Sequence, residues 1–232
     1  MVSDSETKLA TQQSIKAYVD TNGSPADGWR AATGTWTYAS ASTITVPSGA
    51  ASLYQKGDRI KWTQTTVKYG VIVEVADTLL TIAVNDDYTV ANAVITLNYY
   101  SHQLNPIGYP TTFSWTPANV TWGGTAPTTP TMLAKYSIIG NRCFFTLKQT
   151  NTGAGSSNVT FRVDVPVTTT FGTTSKFNEA FTAYLSTSAD SGSSPTIVGV
   201  GITYSVGSGA NVFVSFSSIS AYHIWMNGSV LF

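Results

Sequence analysis

Side chains that could carry out catalysis are scarce in this sequence. The histidines are His102 and His223, and the single cysteine is Cys143. Neither histidine stands at a spacing typical of a metal site. Cys143 alternates with Phe145 and Leu147, which indicates a small apolar thiol on the inner face of a strand. We therefore expect no metal, no cofactor and no cysteine nucleophile.

The carboxylates are the remaining candidates for acid–base chemistry. Hydrolysis of a glycosidic bond needs two carboxyl groups placed across the bond that breaks. Only three carboxylates follow residue 119, and the densest group lies earlier in the chain. Its members are Asp58, Glu74, Asp77, Asp86 and Asp87. Nothing in their spacing places two of them in one cleft, so we expect that the chain is not an enzyme.

Aromatic residues crowd the stretch on either side of His102. Tyrosine and tryptophan rings stack on sugars, and they are also enriched at protein interfaces, where they bury a large area and keep a polar atom. The pattern favours packing or assembly over a glycan platform. The candidates for either role are Tyr99, Tyr100, Tyr109 and Trp115, with Trp225 as a further candidate near the C-terminus.

Charge and hydropathy argue against several classes of partner. Only 10% of the 232 residues are charged, and 12 basic residues balance 12 acidic ones, whereas a nucleic-acid surface needs a basic surplus. No apolar run approaches the roughly 20 residues that cross a bilayer. The N-terminus is polar and acidic, unlike a signal peptide. We expect no nucleic acid, no membrane insertion and synthesis in the cytoplasm.

The segment 1–25 predicts a short helix at about residues 4–20. Leu9, Ile15 and Val19 fall on one side of a helical wheel. A helix this short is marginal in water by itself. These three residues must therefore pack on the rest of the chain or in a bundle with other copies, and we take them as candidate assembly residues.

Period-two alternation and turn residues predict a small antiparallel β-barrel over residues 26–104. Its central hairpin places Val71, Val73 and Val75 on one face and turns at Asp77. The last of its six or so strands is predicted at residues 93–97.

Two further segments complete an organisation that is mainly β. Residues 105–134 hold five of the nine prolines and predict a packed connector, because proline does not fit a central strand. Residues 135–232 predict about seven strands in an antiparallel, jelly-roll-like β-sandwich. Within it, Gly140 and Asn141 have the residue types of a two-residue hairpin turn.

Particular strings resemble structural proteins of tailed bacteriophages. Residues 8–20 resemble a short helical element of tail-fibre and other appendage proteins, and residues 136–167 resemble their C-terminal sandwich domains. The chain also resembles a β module of phage and prophage proteins, at residues 34–47, 54–59, 67–69, 87–89 and 99–102. The resemblance implies a homotrimeric virion appendage protein whose helix bundles or docks on the particle while the C-terminal domain faces the host. The chain lacks the long shafts of such fibres.

Four functions stay open on these observations. The first is a short tail fibre, head fibre or tail-tip protein that binds other virion proteins and attaches to a host-surface glycan or protein. The second is a purely architectural decoration protein of the capsid or tail. A glycan depolymerase is a minor third, because it needs a carboxylate pair in a cleft. A secreted carbohydrate-binding module is the fourth, and it would require an export signal.

Overall fold

The computed structural model is mainly β, with two antiparallel sheets and few helical residues. This confirms the predicted fold class. The structure describes residues 11–15, 25–117, 121–123, 131–150, 160–164, 166–167, 180–186, 196–206, 209–215 and 223–231. For residues 121–123, 160–164, 223–225 and 230–231, and for the strands between 180 and 215, the description is confined to the backbone.

The first sheet has seven strands within residues 30–101. The strands are β1 (Arg30–Ala31), β2 (Thr37–Ser40), β3 (Thr43–Thr45), β4 (Arg59–Thr63), β5 (Val67–Ala76), β6 (Leu79–Val84) and β7 (Thr96–Ser101). Their order in the sheet is β1-β7-β4-β5-β6-β3-β2. The short helix α1 (Ala50–Leu53) joins β3 to β4, and a 3-10 turn at Asp86–Tyr88 follows β6.

One hydrophobic core holds the first sheet together. Its fully buried members include Trp36, Trp62 and Ile60. Side chains from β3 through β7 meet in this single cluster. Strand β7 begins at Thr96 rather than at the predicted residue 93, and Ile95 enters the core from the loop before it.

A β-bulge in β5 decides which valines share a face. The register to β6 shifts between Ile72 and Glu74, and an extra residue in one strand reverses the alternation after it. Ile72 and Val75 pack with the core, whereas Val71 and Val73 are buried outside it. The prediction that Val71, Val73 and Val75 share one face is wrong for this reason.

The second sheet has nine antiparallel strands. They are β8 (Phe113–Ser114), β9 (Thr121–Gly123), β10 (Thr131–Ile139), β11 (Arg142–Thr150), β12 (Thr160–Asp164), β13 (Ala180–Ser186), β14 (Thr196–Val206), β15 (Gly209–Ser215) and β16 (His223–Leu231). Their order is β8-β10-β11-β16-β13-β14-β15-β12-β9. Strands β8 and β9, which end the sheet on its two sides, come from the segment predicted as a connector.

The hairpin of β10 and β11 supplies most of the described core of the second sheet. Gly140, with φ 61°, forms the two-residue turn together with Asn141. Gly140 occupies the first central position, where a type II′ turn requires positive φ. Cys143, Phe145 and Leu147 are buried together, with at most 2% of each exposed. The predicted hairpin and the predicted core position of the thiol are both confirmed.

Of the predicted N-terminal helix, the structure describes one helical turn at residues 12–15. Thr11 begins it, because Thr11 Oγ1 accepts a hydrogen bond from Ser14 N at 3.1 Å. Ile15 is 52% exposed, and Leu9 and Val19 lie outside the described residues. No helix in the described part of the chain is long and apolar enough to cross a membrane.

Candidate functional site

The two sheets contact each other where β4 and the end of β6 face β8 and β10. Tyr136 Oη donates a hydrogen bond to Val84 O at 2.6 Å. The Asp86 carboxylate accepts hydrogen bonds from Thr116 N at 3.0 Å and from Thr116 Oγ1 at 2.7 Å. We call this contact region the seam. It runs from Val84 and Asp86 to Thr116 and Tyr136, and it includes Arg59 and Tyr109. These hydrogen bonds connect the two sheets.

Arg59 is the buried cation of the seam, with 2% of the residue exposed. Nε donates to Leu104 O at 3.0 Å, Nη1 to Gly57 O at 2.9 Å and Nη2 to Ile138 O at 2.6 Å. The guanidinium carbon lies 5.2 Å from the ring centre of Tyr109. Burial lowers the pKa of Arg59 below its ordinary value, because desolvation disfavours the charged form. One side chain of β4 thus holds the segment after β7 and the β10–β11 hairpin together.

The carboxylate next to Arg59 in the chain is engaged elsewhere. Asp58 is 2% exposed, and its Oδ1 lies 2.9 Å from His102 Nδ1. Its Oδ2 accepts a hydrogen bond from Gln55 N at 2.9 Å. In the part of the chain that the structure describes, no carboxylate forms an ion pair with Arg59. The guanidinium is therefore hydrogen-bonded to carbonyl oxygens and packed on an aromatic ring, and the nearby Asp58 carboxylate stabilises its charge without an ion pair.

The pairing of Asp58 with His102 is the arrangement that orients an imidazole in many hydrolases. Among the described residues, no hydroxyl or thiol bonds the other ring nitrogen of His102. Cys143 is buried, and burial raises the pKa of its thiol to about 12, so it is not the nucleophile that this pair would activate. The pair joins the start of β4 to the end of β7.

A cleft of about 240 Å³ opens beside Arg59, between the two sheets. Arg59 is the charged residue of its described lining. The apolar walls are Leu104, Pro110, Phe113, Ile138 and Ile139, and the polar ones are Asn105, Tyr109, Thr111 and Ser137. An apolar concavity with a few convergent polar groups is the usual form of a small-molecule site. The described lining has no carboxylate pair of the kind that glycoside hydrolysis needs.

The aromatic residues predicted from the sequence occupy separate places. Tyr100 is 6% exposed in the first core, with its ring centre 5.2 Å from that of Tyr54. Trp115 is buried in the second sheet, with its ring centre 6.1 Å from that of Phe145. For Trp225 the structure describes only the backbone. Tyr100 and Trp115 therefore pack against different residues, Tyr100 in the first core and Trp115 beside Phe145.

Tyr99 lies on the other face of β7, where it takes part in a cation–π contact. Lys61 Nζ lies 4.6 Å from the ring centre of Tyr99 and 4.5 Å from that of Trp29. Burial lowers the pKa of Lys61. This cluster adjoins the cleft, because the ring centre of Trp29 also lies 6.2 Å from that of Tyr109.

Tyr109 alone of the predicted aromatic residues lines the cleft. It belongs to a chain of rings along the seam, with centres 6.0 Å from Tyr69, 6.2 Å from Trp29 and 5.8 Å from Phe113. Trp29 and Tyr69 were not among the predicted site residues. Tyr69 directly precedes the run Gly70-Val71-Ile72-Val73, and such a continuous run is typical of a strand covered on both faces.

Comparisons with protein-family models, with curated proteins and with solved structures find no match to this chain. Among the residues that the structure describes, no group of three or more histidine, cysteine, aspartate or glutamate side chains could hold a metal ion. The described residues and their geometry are therefore the basis for assigning a function.

Proposed function

We propose that this chain is a structural appendage protein of a phage virion, namely a short tail fibre, a head fibre or a tail-tip protein. It assembles as a homotrimer through its N-terminal helix and attaches to a host-surface glycan or protein through its C-terminal domain. The observation that carries the proposal is Ile15, which ends a capped helical turn and is 52% exposed. An apolar helical residue that is about half exposed in the described part of the chain fits a bundle with other copies.

The seam supports an appendage role because it couples the two sheets mechanically. A hydrogen bond from buried Arg59 to Ile138 O and one from Tyr136 Oη to Val84 O cross between them. A protein that carries a contact outward from a particle needs modules that keep their relative orientation. Two hydrogen-bonded β modules with a buried contact meet that need without a flexible linker.

The outer face of the β10–β11 hairpin supports contact with a partner. Leu133, Ile139 and Phe144 are 67%, 52% and 41% exposed. Lys135 and Thr146 are exposed on the same face, opposite each other in the ladder. Apolar side chains interleaved with a lysine and a hydroxyl can contact a glycan or a protein surface.

Light scattering tests the assembly. We expect the unaltered chain to have three times the single-chain mass of 24.7 kDa. Ile15→Asp combined with Val19→Asp should convert the trimer to a monomer, because charges in a helical bundle core are not tolerated. Val94→Asp, at a residue 79% exposed in the first module, is the matched control and should leave the trimer intact. A monomeric unaltered chain would overturn the assembly.

Binding of labelled protein to bacterial cells tests attachment. We expect saturable binding that purified surface polysaccharide or protease treatment of the cells removes, according to the class of receptor. Phe144→Ser should weaken binding, and Val67→Ser, which truncates another exposed apolar residue in the first sheet, should not. Binding to virions but not to cells would establish the architectural role instead, and release of reducing ends from polysaccharide would establish a depolymerase.

A further inference from the structure

We propose that the cleft beside Arg59 is a binding site for a small hydroxylated carboxylate, such as a uronic acid. The carboxylate would pair with the Arg59 guanidinium, and the sugar ring would lie against the cleft walls. This inference does not depend on the proposed function, because a free sugar acid would occupy the cleft as well as one carried by a glycan.

The charge balance at Arg59 is the first argument. A buried charge is usually paired with an opposite charge or bound to a metal. The Asp58 carboxylate attracts the guanidinium, but among the described residues its oxygens bond His102 and Gln55 instead. The guanidinium has five N–H donors, and three contacts to backbone carbonyls are present. On each terminal nitrogen one N–H has no acceptor among the described residues, and a carboxylate has two oxygens to accept them.

The walls of the cleft are the second argument. Phe113 and Tyr109 offer ring surface, and Asn105, Thr111 and Ser137 offer amide and hydroxyl groups. Ring surface together with hydroxyl and amide groups suits a sugar better than a purely apolar acid. The volume of about 240 Å³ is below the range of roughly 300–1,000 Å³ of drug-sized ligand pockets. The cleft therefore fits a single sugar unit rather than a long segment of chain.

Titration with sodium glucuronate, followed by calorimetry or by NMR, tests the site on the full chain. We expect binding of one glucuronate per chain and binding of glucose weaker by about tenfold or more, because glucose lacks the carboxylate. The methyl ester of glucuronic acid, which keeps the ring but not the charge, should bind like glucose. Equal binding of glucose and glucuronate, or no binding of either, would overturn the proposal.

Variants locate the binding on the protein. Ile139→Trp should fill the cleft and abolish glucuronate binding, whereas Leu133→Trp, an exposed position on the same face of β10 but outside the cleft, should leave it unchanged. Arg59→Met should abolish binding while the apolar stem is kept. If Arg59→Met does not fold, Ile139→Trp decides, and glucuronate binding that survives Ile139→Trp would overturn the proposal.

The same titration separates the two sources of the ligand. An oligosaccharide that carries glucuronate at its non-reducing end should bind at least as well as the free acid if the cleft takes the end of a glycan. If only the free acid binds, the cleft is a site for a small metabolite. Both results keep the carboxylate site and assign its ligand.

Discussion

The two sheets differ in how far along the chain their strands must reach for a partner. In the first sheet β4, β5 and β6 follow one another, and the whole sheet lies within residues 30–101. In the second sheet β16 pairs with β11, so that Leu231 lies opposite Arg142. Closing a long loop costs more chain entropy and slows folding. The first sheet should therefore form early and alone, and the second should need the C-terminal strand.

The cores show the same contrast. The first core is one cluster of residues from Trp36 to Tyr100. In the second sheet, buried Met226 of β16 is the register partner of Leu147 of β11. Packing inside the first core thus stays within residues 36–100, whereas the described core of the second sheet joins the β10–β11 hairpin to β16. The seam then couples an early structure to a late one.

Removal of β16 should have the largest effect. A chain that ends at Tyr222 leaves β11 and β13 each without one of two neighbouring strands, and we expect the second sheet to open while the first stays folded. Cys143 reports the opening, because burial raises the pKa of its thiol to about 12 in the complete chain. A thiol reagent at pH 8 should label the shortened chain quickly and the full chain slowly. Continued protection of β5 amides from hydrogen exchange should show that the first sheet persists.

Slow labelling of Cys143 in the shortened chain would contradict the dependence on β16. Loss of β5 protection together with rapid labelling would mean that the first sheet is not independent. Either result would remove the contrast between the sheets.

Two matched cavity variants should separate the cores. Trp62→Ala and Phe145→Ala each remove a large buried ring, and we expect each to reduce the free energy of unfolding by about 3–5 kcal/mol. Trp62→Ala should expose amides of β4 and β5, and Phe145→Ala should expose those of β10 and β11, as measured by native-state hydrogen exchange. Identical exchange patterns in the two variants would show that the sheets unfold as one unit.

A change at the seam should have a smaller effect. Tyr136→Phe removes the hydrogen bond to Val84 O, and we expect a loss of about 1 kcal/mol. Burial raises the pKa of Tyr136 above its ordinary value, so its phenol remains protonated across the physiological range and the effect should not vary with pH there. In chemical denaturation of the Tyr136→Phe variant, the two sheets should unfold at different denaturant concentrations. Tyr99→Phe, at a half-buried residue on the outer face of β7, is the control and should change little.

Relief of strain in the first sheet should have the smallest effect. Leu97 has φ 48° and is 64% exposed, a conformation that costs an L-residue roughly 1–2 kcal/mol. Asparagine tolerates this region better, so Leu97→Asn should raise the free energy of unfolding of the first sheet by up to about 1 kcal/mol. Thermal unfolding measures it, and Val94→Asn should give no gain. A loss of stability in Leu97→Asn would mean that the leucine makes a contact that outweighs its strain.

Local sequence patterns predicted local pairing well. The alternation in β10 and β11, together with Gly140, identified their hairpin, and Asp77 marked the turn after β5. The bulge between Ile72 and Glu74 has no such signal, because it depends on the register to β6. For the same reason the place of β16 between β11 and β13 could not be predicted, since pairing over such a distance leaves no mark in nearby residues.

The candidate site shows a similar limit. Tyr109 was found because aromatic residues crowd its neighbourhood. Arg59 was not, because a charged residue that opens a strand is usually exposed, and its contact with Ile138 O spans 79 residues. The segment after β7 and strand β10 of the second sheet together cover Arg59.

Strand β16 follows the other strands of the second sheet in sequence but lies between β11 and β13 in space. This order matters during synthesis. The ribosome releases β16 only after every other strand of the second sheet has emerged. Until then the facing edges of β11 and β13 are open and can pair with the edges of other nascent chains. Translation of neighbouring copies on one messenger RNA would bring such edges close together, so newly made protein should depend on chaperones more strongly than its refolded form does.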